Sequence, residues 1–333
     1  DSDAIRKRVA ERVDADGTDA FSLLTALGRD CVGALQLLPD GIDPGAAGDT
    51  DGKPVSDEEV ADIIKNLAAA PLGMGEDKDF RISIAGAQEK TALLRKDGQW
   101  FKPIGATATT HILKPQIGQL PNGIDLSNSV ENEYLCLKLL EAWGVPAANV
   151  EIADFGERRT LIVKRFDRLW TKDGRLLRLP QEDACQALSI PPTRKYQSDG
   201  GPGMREIINL LKGSDTPDAD IATFMRAGIL FWLLGATDGH AKNFSIFLGP
   251  GGRFRMTPLY DVLTAQPSLD EGQIPRKKFK LAMSVGKNRH YAIHDIVPRH
   301  FMQTADLAGV GAPAMRAILE DIAANAERQA EAA

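Results

Sequence analysis

Up to residue 70 apolar positions recur at helical spacing, with one polar interruption. Ile5 to Val13 and Phe21 to Leu27 read as amphipathic helices, and Pro39 to Gly52, rich in Gly, Asp and Pro, reads as a loop. Ser56-Asp-Glu-Glu59 has the form of a capping box, and Val60, Ile63, Ile64 and Leu67 continue it as a helix. From about residue 80 to 166 the pattern shortens to that of strands. Thr91 to Arg95 and Gln99 to Lys102 flank the hairpin signal Lys96-Asp97-Gly98. His111 to Lys114 is a short strand ending in lysine, and Arg159 to Phe166 is another. Between them Asn128 to Trp143 is a helix, with Asn128 as cap, Glu131 as its capping partner and Gly144-Val-Pro146 as the stop. After residue 167 helices dominate. The longest opens at Thr216-Pro217, carries Ile221, Phe224, Met225, Ile229, Leu230, Leu233 and Leu234 on its apolar positions, and stops at Gly235-Ala-Thr-Asp-Gly239. Phe244 to Leu248 and Phe254 to Met256 form a hairpin around Gly249-Pro-Gly-Gly252, and the last forty residues return to helix.

This order predicts an α+β protein of two lobes. Residues 1–166 form a mixed α/β lobe, with a helical lead-in to a sheet, and residues 167–333 form a mainly helical lobe. A length of 333 residues agrees with two such units. The formal charge of −6 excludes a protein that coats nucleic acid by bulk charge. Cys31, Cys136 and Cys185 are too few and too scattered for a disulfide framework or a cysteine zinc site, and they suit a reducing, cytoplasmic setting. The longest apolar run, Ala227 to Ala236, is about half a membrane span, so no membrane is implied. The chain opens on Asp1, not Met, which reads as a trimmed start.

The chemistry concentrates in Thr237-Asp238-Gly239-His240-Ala241-Lys242-Asn243. Here a long apolar helix delivers a polar loop with Asp at its start and Asn five residues on, the spacing of the catalytic loop of protein kinases. One carboxylate can orient or deprotonate an attacking hydroxyl, and the carboxamide can reach the metal that holds phosphates. The hairpin after Asn243 runs back towards Tyr260-Asp261, so Asn243 and Asp261 should meet as an oxygen-ligand Mg²⁺ site. Upstream, Lys114 closes its strand like the lysine that holds the α- and β-phosphates, with Glu131 or Glu133 as its acidic partner. Ser83-Ile-Ala-Gly-Ala-Gln-Glu-Lys90 lacks the second glycine of a Walker loop, yet it sits where backbone N–H groups could cover phosphates. His240 could equally be a structural hydrogen-bonding residue. His290, His294 and His300 read as solvent-facing, Trp100, Trp143 and Trp232 as packing residues, and Asp199-Gly-Gly-Pro-Gly203 as a turn before the helix Met204 to Leu211.

These residues carry a family resemblance. Phe80 to Leu94, Thr110 to Lys114, Arg165-Phe-Asp-Arg168, Arg178 to Asp183, Lys195 to Gly203 and Gly235 to Phe244 resemble the HipA family of serine/threonine-kinase toxins. The resemblance implies a protein-kinase-like fold with an ATP cleft between two lobes. It implies Asp238 as the catalytic aspartate, and ATP and Mg²⁺ contacts from His240, Ala241, Lys242, Asn243, Tyr260 and Asp261. It implies a phosphate-covering loop of Ala85, Gly86, Ala87, Gln88, Glu89 and Lys90, the phosphate-holding Lys114, and a hinge of Lys164, Arg165 and Phe166 beside adenine. Ser83 matches the serine on which HipA kinases phosphorylate themselves and switch off, which is electrostatically sensible inside a phosphate-covering loop. The family's substrate is glutamyl-tRNA synthetase, and its partner is a HipB-like helix-turn-helix antitoxin that binds operator DNA. That implies a role in dormancy and persistence, and a cytoplasmic protein that joins the nucleoid with its antitoxin. Full-length members begin with a further small β-rich subdomain, which reads as absent here. Competing expectations are a phosphotransferase for a small molecule or lipid, a DNA-tethered corepressor and, remotely, transfer of AMP.

Charge is also uneven along the chain. Residues 276–290 hold Arg276, Lys277, Lys278, Lys280, Lys287 and Arg289 and no acid. With a total of −6, a local +6 there leaves −12 for the remainder. The segment reads either as a solvated loop or as a face for an acidic substrate or DNA phosphates.

Overall fold

The computed structural model describes residues 3–38, 40–67 and 88–332. Contacts divide the chain into two compact units, each made of two stretches. The first comprises residues 1–117 and 149–181, and the second residues 118–148 and 182–333. A single boundary after residue 166 does not describe this division: the helix Ser129–Ala142 belongs to the second unit, and residues 167–181 to the first.

The first unit is built on an antiparallel sheet of β1 (Gly52–Val55), β2 (Thr91–Lys96), β3 (Gln99–Pro103), β4 (His111–Pro115), β5 (Val150–Phe155) and β6 (Arg158–Lys164). Its order is β1-β3-β2-β4-β6-β5. The β2–β3 hairpin closes through Asp97 and Gly98, both at positive φ (51° and 81°), with Lys96 opposite Gln99. Two positive φ values are what a two-residue turn needs to match the twist of its strands. Ala92, Leu93, Trp100, Leu113 and Ile162 supply the sheet's side of a core, and Val60, Ile64 and Leu67 the facing side. The helix Asp57–Lys65 that carries Val60 and Ile64 begins in the expected capping box. Ser56 Oγ accepts from Glu59 N at 3.3 Å, and Ser56 N donates to Glu59 Oε2 at 2.8 Å.

The second unit is mainly helical. Its centre is the helix Pro217–Leu234, which packs against Met204–Leu211, Ser129–Ala142 and Ala312–Ala332. Phe224, Phe301 and Leu137 are among its fully buried side chains. Ser245–Leu248 and Phe254–Met256 pair as expected, with Ile246 opposite Met256. A second hairpin joins Lys280–Val285 to His290–Ala292.

Two sequence expectations fail here. Asn128 does not cap Ser129–Ala142 with its side chain, because its backbone (φ −101°, ψ 15°) lacks the extended conformation that turns a cap side chain onto the helix. His290 and His300 do not face solvent as a pair. Their rings stack at 3.8 Å, and His300 is buried with Nδ1 accepting from Val297 N. Burial, together with His290 and Arg299, lowers the His300 pKa. No helix among the described residues is long and apolar enough to cross a membrane.

Candidate active site

The end of the helix Pro217–Leu234 sets the site. Gly235 takes a left-handed φ of 69°, and Ala236 N closes on Phe231 O at 2.8 Å, so the chain leaves the helix sharply. The loop that follows lies on the ring of Phe231. A Cβ at Gly239 would sit 2.4 Å from that ring, so glycine is required there.

Asp238 presents an exposed carboxylate. Its Oδ1 accepts the phenol hydroxyl of Tyr196 at 2.6 Å, and its Oδ2 lies 3.8 Å from His240 Nε2. His240 is buried, stacks edge-on against Tyr196 at 5.0 Å, and leaves Nδ1 without a hydrogen-bond partner among the described residues. Burial pushes its pKa down, against the pull of Asp238, so the ring is neutral near pH 7. A short 3₁₀ turn, Ala241–Asn243, then brings Asn243 back beneath the loop. Asn243 Oδ1 accepts from His240 N at 3.3 Å, and Asn243 Nδ2 donates to Asp261 Oδ2 and Asp261 O, both at 3.4 Å. The return of the hairpin therefore joins Asn243 to Asp261, as the spacing predicted.

Asp261 has φ of 62°, a conformation that few non-glycine residues adopt, that costs of order 1–3 kcal/mol and that persists only where its surroundings fix it. They do so on both sides. Tyr260 donates its hydroxyl to Lys242 O at 2.8 Å and shares a 2.6 Å hydrogen bond with Ser245 Oγ. On the other side, Asn132 grips Thr264 through both amide atoms, at 2.8 and 2.9 Å. Lys242 turns away to pair with Asp183 at 3.2 Å. Sequence reasoning missed Tyr196, Asp183 and Asn132, which are separated in the chain from the loop they support, and Ser245, which follows it directly. The Arg178 to Asp183 and Lys195 to Gly203 stretches offered a signal for Asp183 and Tyr196, as matching segments without a role.

Mg²⁺ fits the donors. Asp261 supplies a hard carboxylate oxygen and Asn243 lies beside it; with Nδ2 on Asp261 and Oδ1 on His240 N, the amide would have to turn over to add its own oxygen, and no group of three or more His, Cys, Asp or Glu gathers among the described residues. Two protein donors completed by phosphate and water suit Mg²⁺ and not a closed zinc site.

The first unit holds the other expected residues. Lys114 is buried in β4, opposite Leu161 of β6. Lys90 is buried just ahead of β2, Glu89 is exposed, and Gln88 Nε2 donates to Pro115 O at 3.3 Å. Ser83, Ala85, Gly86 and Ala87 lie outside the described residues. Of the two candidate partners for Lys114, Glu133 is buried and Glu131 half-buried. At the proposed hinge Lys164 is exposed and Phe166 half-buried.

Arg165 does something the sequence did not indicate. Its buried guanidinium donates to Asp167 (3.0 and 2.8 Å), Asp30 (3.1 Å), Thr109 Oγ1 (2.8 Å) and Cys31 O (3.0 Å). With every donor used, its side chain is not available to adenine, and only its backbone could serve there. Arg168 and Arg178 complete the cluster on Asp30 at 2.8 and 3.2 Å. Burial alone would raise the pKa of both carboxyls, but the three guanidinium groups outweigh it. Asp30 is held below the usual carboxylate range, and Asp167 is lowered to about 2.

Residues 82–330 match the HipA-like C-terminal domain, and residues 1–38 match the HipA N-terminal domain, so that domain is represented here and not wholly absent. Y4mE of Sinorhizobium fredii, whose name carries a kinase assignment, is 37% identical over 92% of this chain and 70% of its own length. The serine/threonine-protein kinase toxin HipA of Shewanella oneidensis is 29% identical over 74% of this chain, which spans 57% of that protein. The solved structure of Shewanella oneidensis HipA, in complex with HipB and its operator DNA, matches with a TM-score of 0.78 and 25% identity, covering 98% of this chain and 74% of that one. A family match across most of the chain, on a fold shared over nearly all of it, shows that the chain belongs to the HipA-like kinase family.

Proposed function

We propose that this chain is the catalytic part of an Mg-ATP-dependent serine/threonine protein kinase that arrests growth as a toxin. The observation that carries the reading is the joined set of Asp238, Asn243 and Asp261 at the end of one helix and one hairpin. Phosphoryl transfer needs little covalent help from a protein; it needs positioning and charge. Asp238 orients the acceptor hydroxyl and takes its proton, a role that typically contributes about 10²–10⁴-fold. Asn243 and Asp261 would hold Mg²⁺, which supplies charge neutralisation at the phosphates when bound. The family resemblance gives Lys114 and Lys90 a phosphate-holding role and gives Gln88 and Glu89 a place in the phosphate-covering loop. His240, Ala241, Lys242 and Tyr260 shape the same surface.

Finer parts of the proposal rest on the family resemblance. The substrate is glutamyl-tRNA synthetase or a similar translation protein. Autophosphorylation at Ser83 would put a charge of about −1.5 to −2 where ATP phosphates bind, and so switch the enzyme off. A HipB-like antitoxin neutralises the kinase and carries it to operator DNA, which makes the protein cytoplasmic and at times nucleoid-associated. The test is phosphoproteomics of cells expressing the full-length protein against its Asp238→Asn variant. Phosphoserine on a translation protein and on Ser83, present only with the active protein, is the expected result. No difference between the two proteomes would refute the proposal.

A further inference from the structure

Asp238 has two carboxylate oxygens, and the structure treats them differently. Oδ1 is engaged by the Tyr196 hydroxyl at 2.6 Å, whereas Oδ2 makes no hydrogen bond among the described residues and has the His240 ring beside it at 3.8 Å. Tyr196 is not a chance neighbour, because its whole segment is fastened to the loop. Ala241 N donates to Lys195 O at 3.3 Å, and the Tyr196 ring packs edge-on against His240 at an interplanar angle of 82°. Gly201 N donates to Tyr196 O at 2.9 Å, and a Cβ at Gly201 would lie 2.0 Å from Arg194 O, so only glycine lets the segment fold this tightly. Gln197 reaches the other way. Its Oε1 accepts from Ser284 N at 2.7 Å and Ser284 Oγ at 2.9 Å, which ties the segment to the strand Lys280–Val285. Burial, and next the bond to Asp238, push the phenol pKa up, so the hydroxyl stays a donor.

We propose that Tyr196 is the positioning residue of the transfer reaction: its hydroxyl holds Oδ1 of Asp238 and leaves Oδ2 to receive the proton of the acceptor hydroxyl. The inference rests on the phosphotransferase reading of the loop. In the step itself the acceptor O–H bond breaks and its proton passes to Oδ2. The acceptor oxygen bonds the γ-phosphorus as the bond from that phosphorus to the bridging oxygen breaks, and ADP leaves with the electron pair. A carboxylate free to turn would present either oxygen, and a misplaced base loses rate steeply. Tyr196 therefore acts on the turnover step and not on nucleotide affinity.

The experiment is steady-state transfer by the full chain carrying Tyr196→Phe, which keeps the ring and its packing and removes one hydrogen bond to a charged group. Such a bond corresponds to a loss in kcat of about tenfold to a hundredfold. The KM for ATP should stay within about twofold, and the melting temperature within a few degrees of the parent. An unchanged kcat would overturn the inference, and so would a loss accompanied by equal changes in KM and melting temperature, since that is the mark of a structural residue. Asp238→Asn, run in parallel, separates the two levels. If it keeps full transfer, the reading of the loop fails; if it is inactive while Tyr196→Phe is fully active, only the role of Tyr196 fails.

Discussion

At the scale of single residues the molecule spends its buried charge in two ways. Around Asp238 the polar groups are partly open and available for chemistry. In the first unit, Asp30, Asp167, Arg165, Arg168 and Arg178 are drawn inside and bonded to one another. Asp30 accepts from Arg165, Arg168, Arg178 and Thr109, and so fastens residues that match the HipA N-terminal domain to the end of β6. Asp30→Ala would leave buried guanidinium groups uncompensated, a loss of roughly 3–5 kcal/mol that chemical denaturation would register. The same unit should weaken in acid in two stages. Burial first, then Arg95 and Lys164, lower the His111 pKa to about 4. The unfolded chain therefore binds a proton below about pH 6.5 that the folded chain refuses, and stability falls as pH drops from there towards 4. Asp167, lowered to about 2, contributes stability that is complete above its ordinary pKa near 4 and is lost as pH falls towards 2. Denaturation curves across this range test the sign; stability that rose on acidification would contradict it. The Arg165-Phe-Asp-Arg168 motif was visible in the sequence, but its partner Asp30 lies more than a hundred positions away, and nothing local marks the pair.

At the scale of elements, what could be read early was what local chemistry decides. The Ser56–Glu59 box, the Asp97-Gly98 turn and the Gly235 stop are short-range arrangements of caps and left-handed residues, and all three form. The meeting of Asn243 and Asp261 also followed from local logic, because a hairpin must bring its ends together. Asn128 shows the limit of such reasoning: the residue type suits a cap, but its backbone angles do not. Tyr196 and Asn132 were hidden for another reason, since each reaches the site from an element brought near only by tertiary packing. The catalytic loop itself depends on a close approach of elements. Gly239→Ala would push a methyl group into the Phe231 ring and displace Asp238. Its kcat should fall on the order of a hundredfold, as for other small misplacements of a reacting group, with a well-folded circular dichroism spectrum. Normal turnover in that variant would mean that the loop does not need its seat on Phe231.

At the scale of the whole molecule, the α+β class and the family were legible in the sequence, while the division of the chain was not. Composition changes near residue 166, yet contacts assign the helix Ser129–Ala142 to the second unit, because its buried face packs with the helix Pro217–Leu234. Charge is divided as well. The basic residues at 276–280 and 287–289 are exposed, on and beside the hairpin Lys280–Val285 and His290–Ala292, while the total stays at −6. As proposed, this assembly moves the γ-phosphoryl group of ATP to serine or threonine, with Asp238 as the acceptor's base. The most direct measurement incubates the full chain, and its Asp238→Asn variant, with γ-labelled ATP and Mg²⁺ and a protein acceptor, and identifies the labelled residue. The expected result is label on serine or threonine that needs Mg²⁺ and falls at least about a hundredfold in a folded Asp238→Asn protein. Full transfer by that variant, or label delivered from the α-position of ATP, would contradict it.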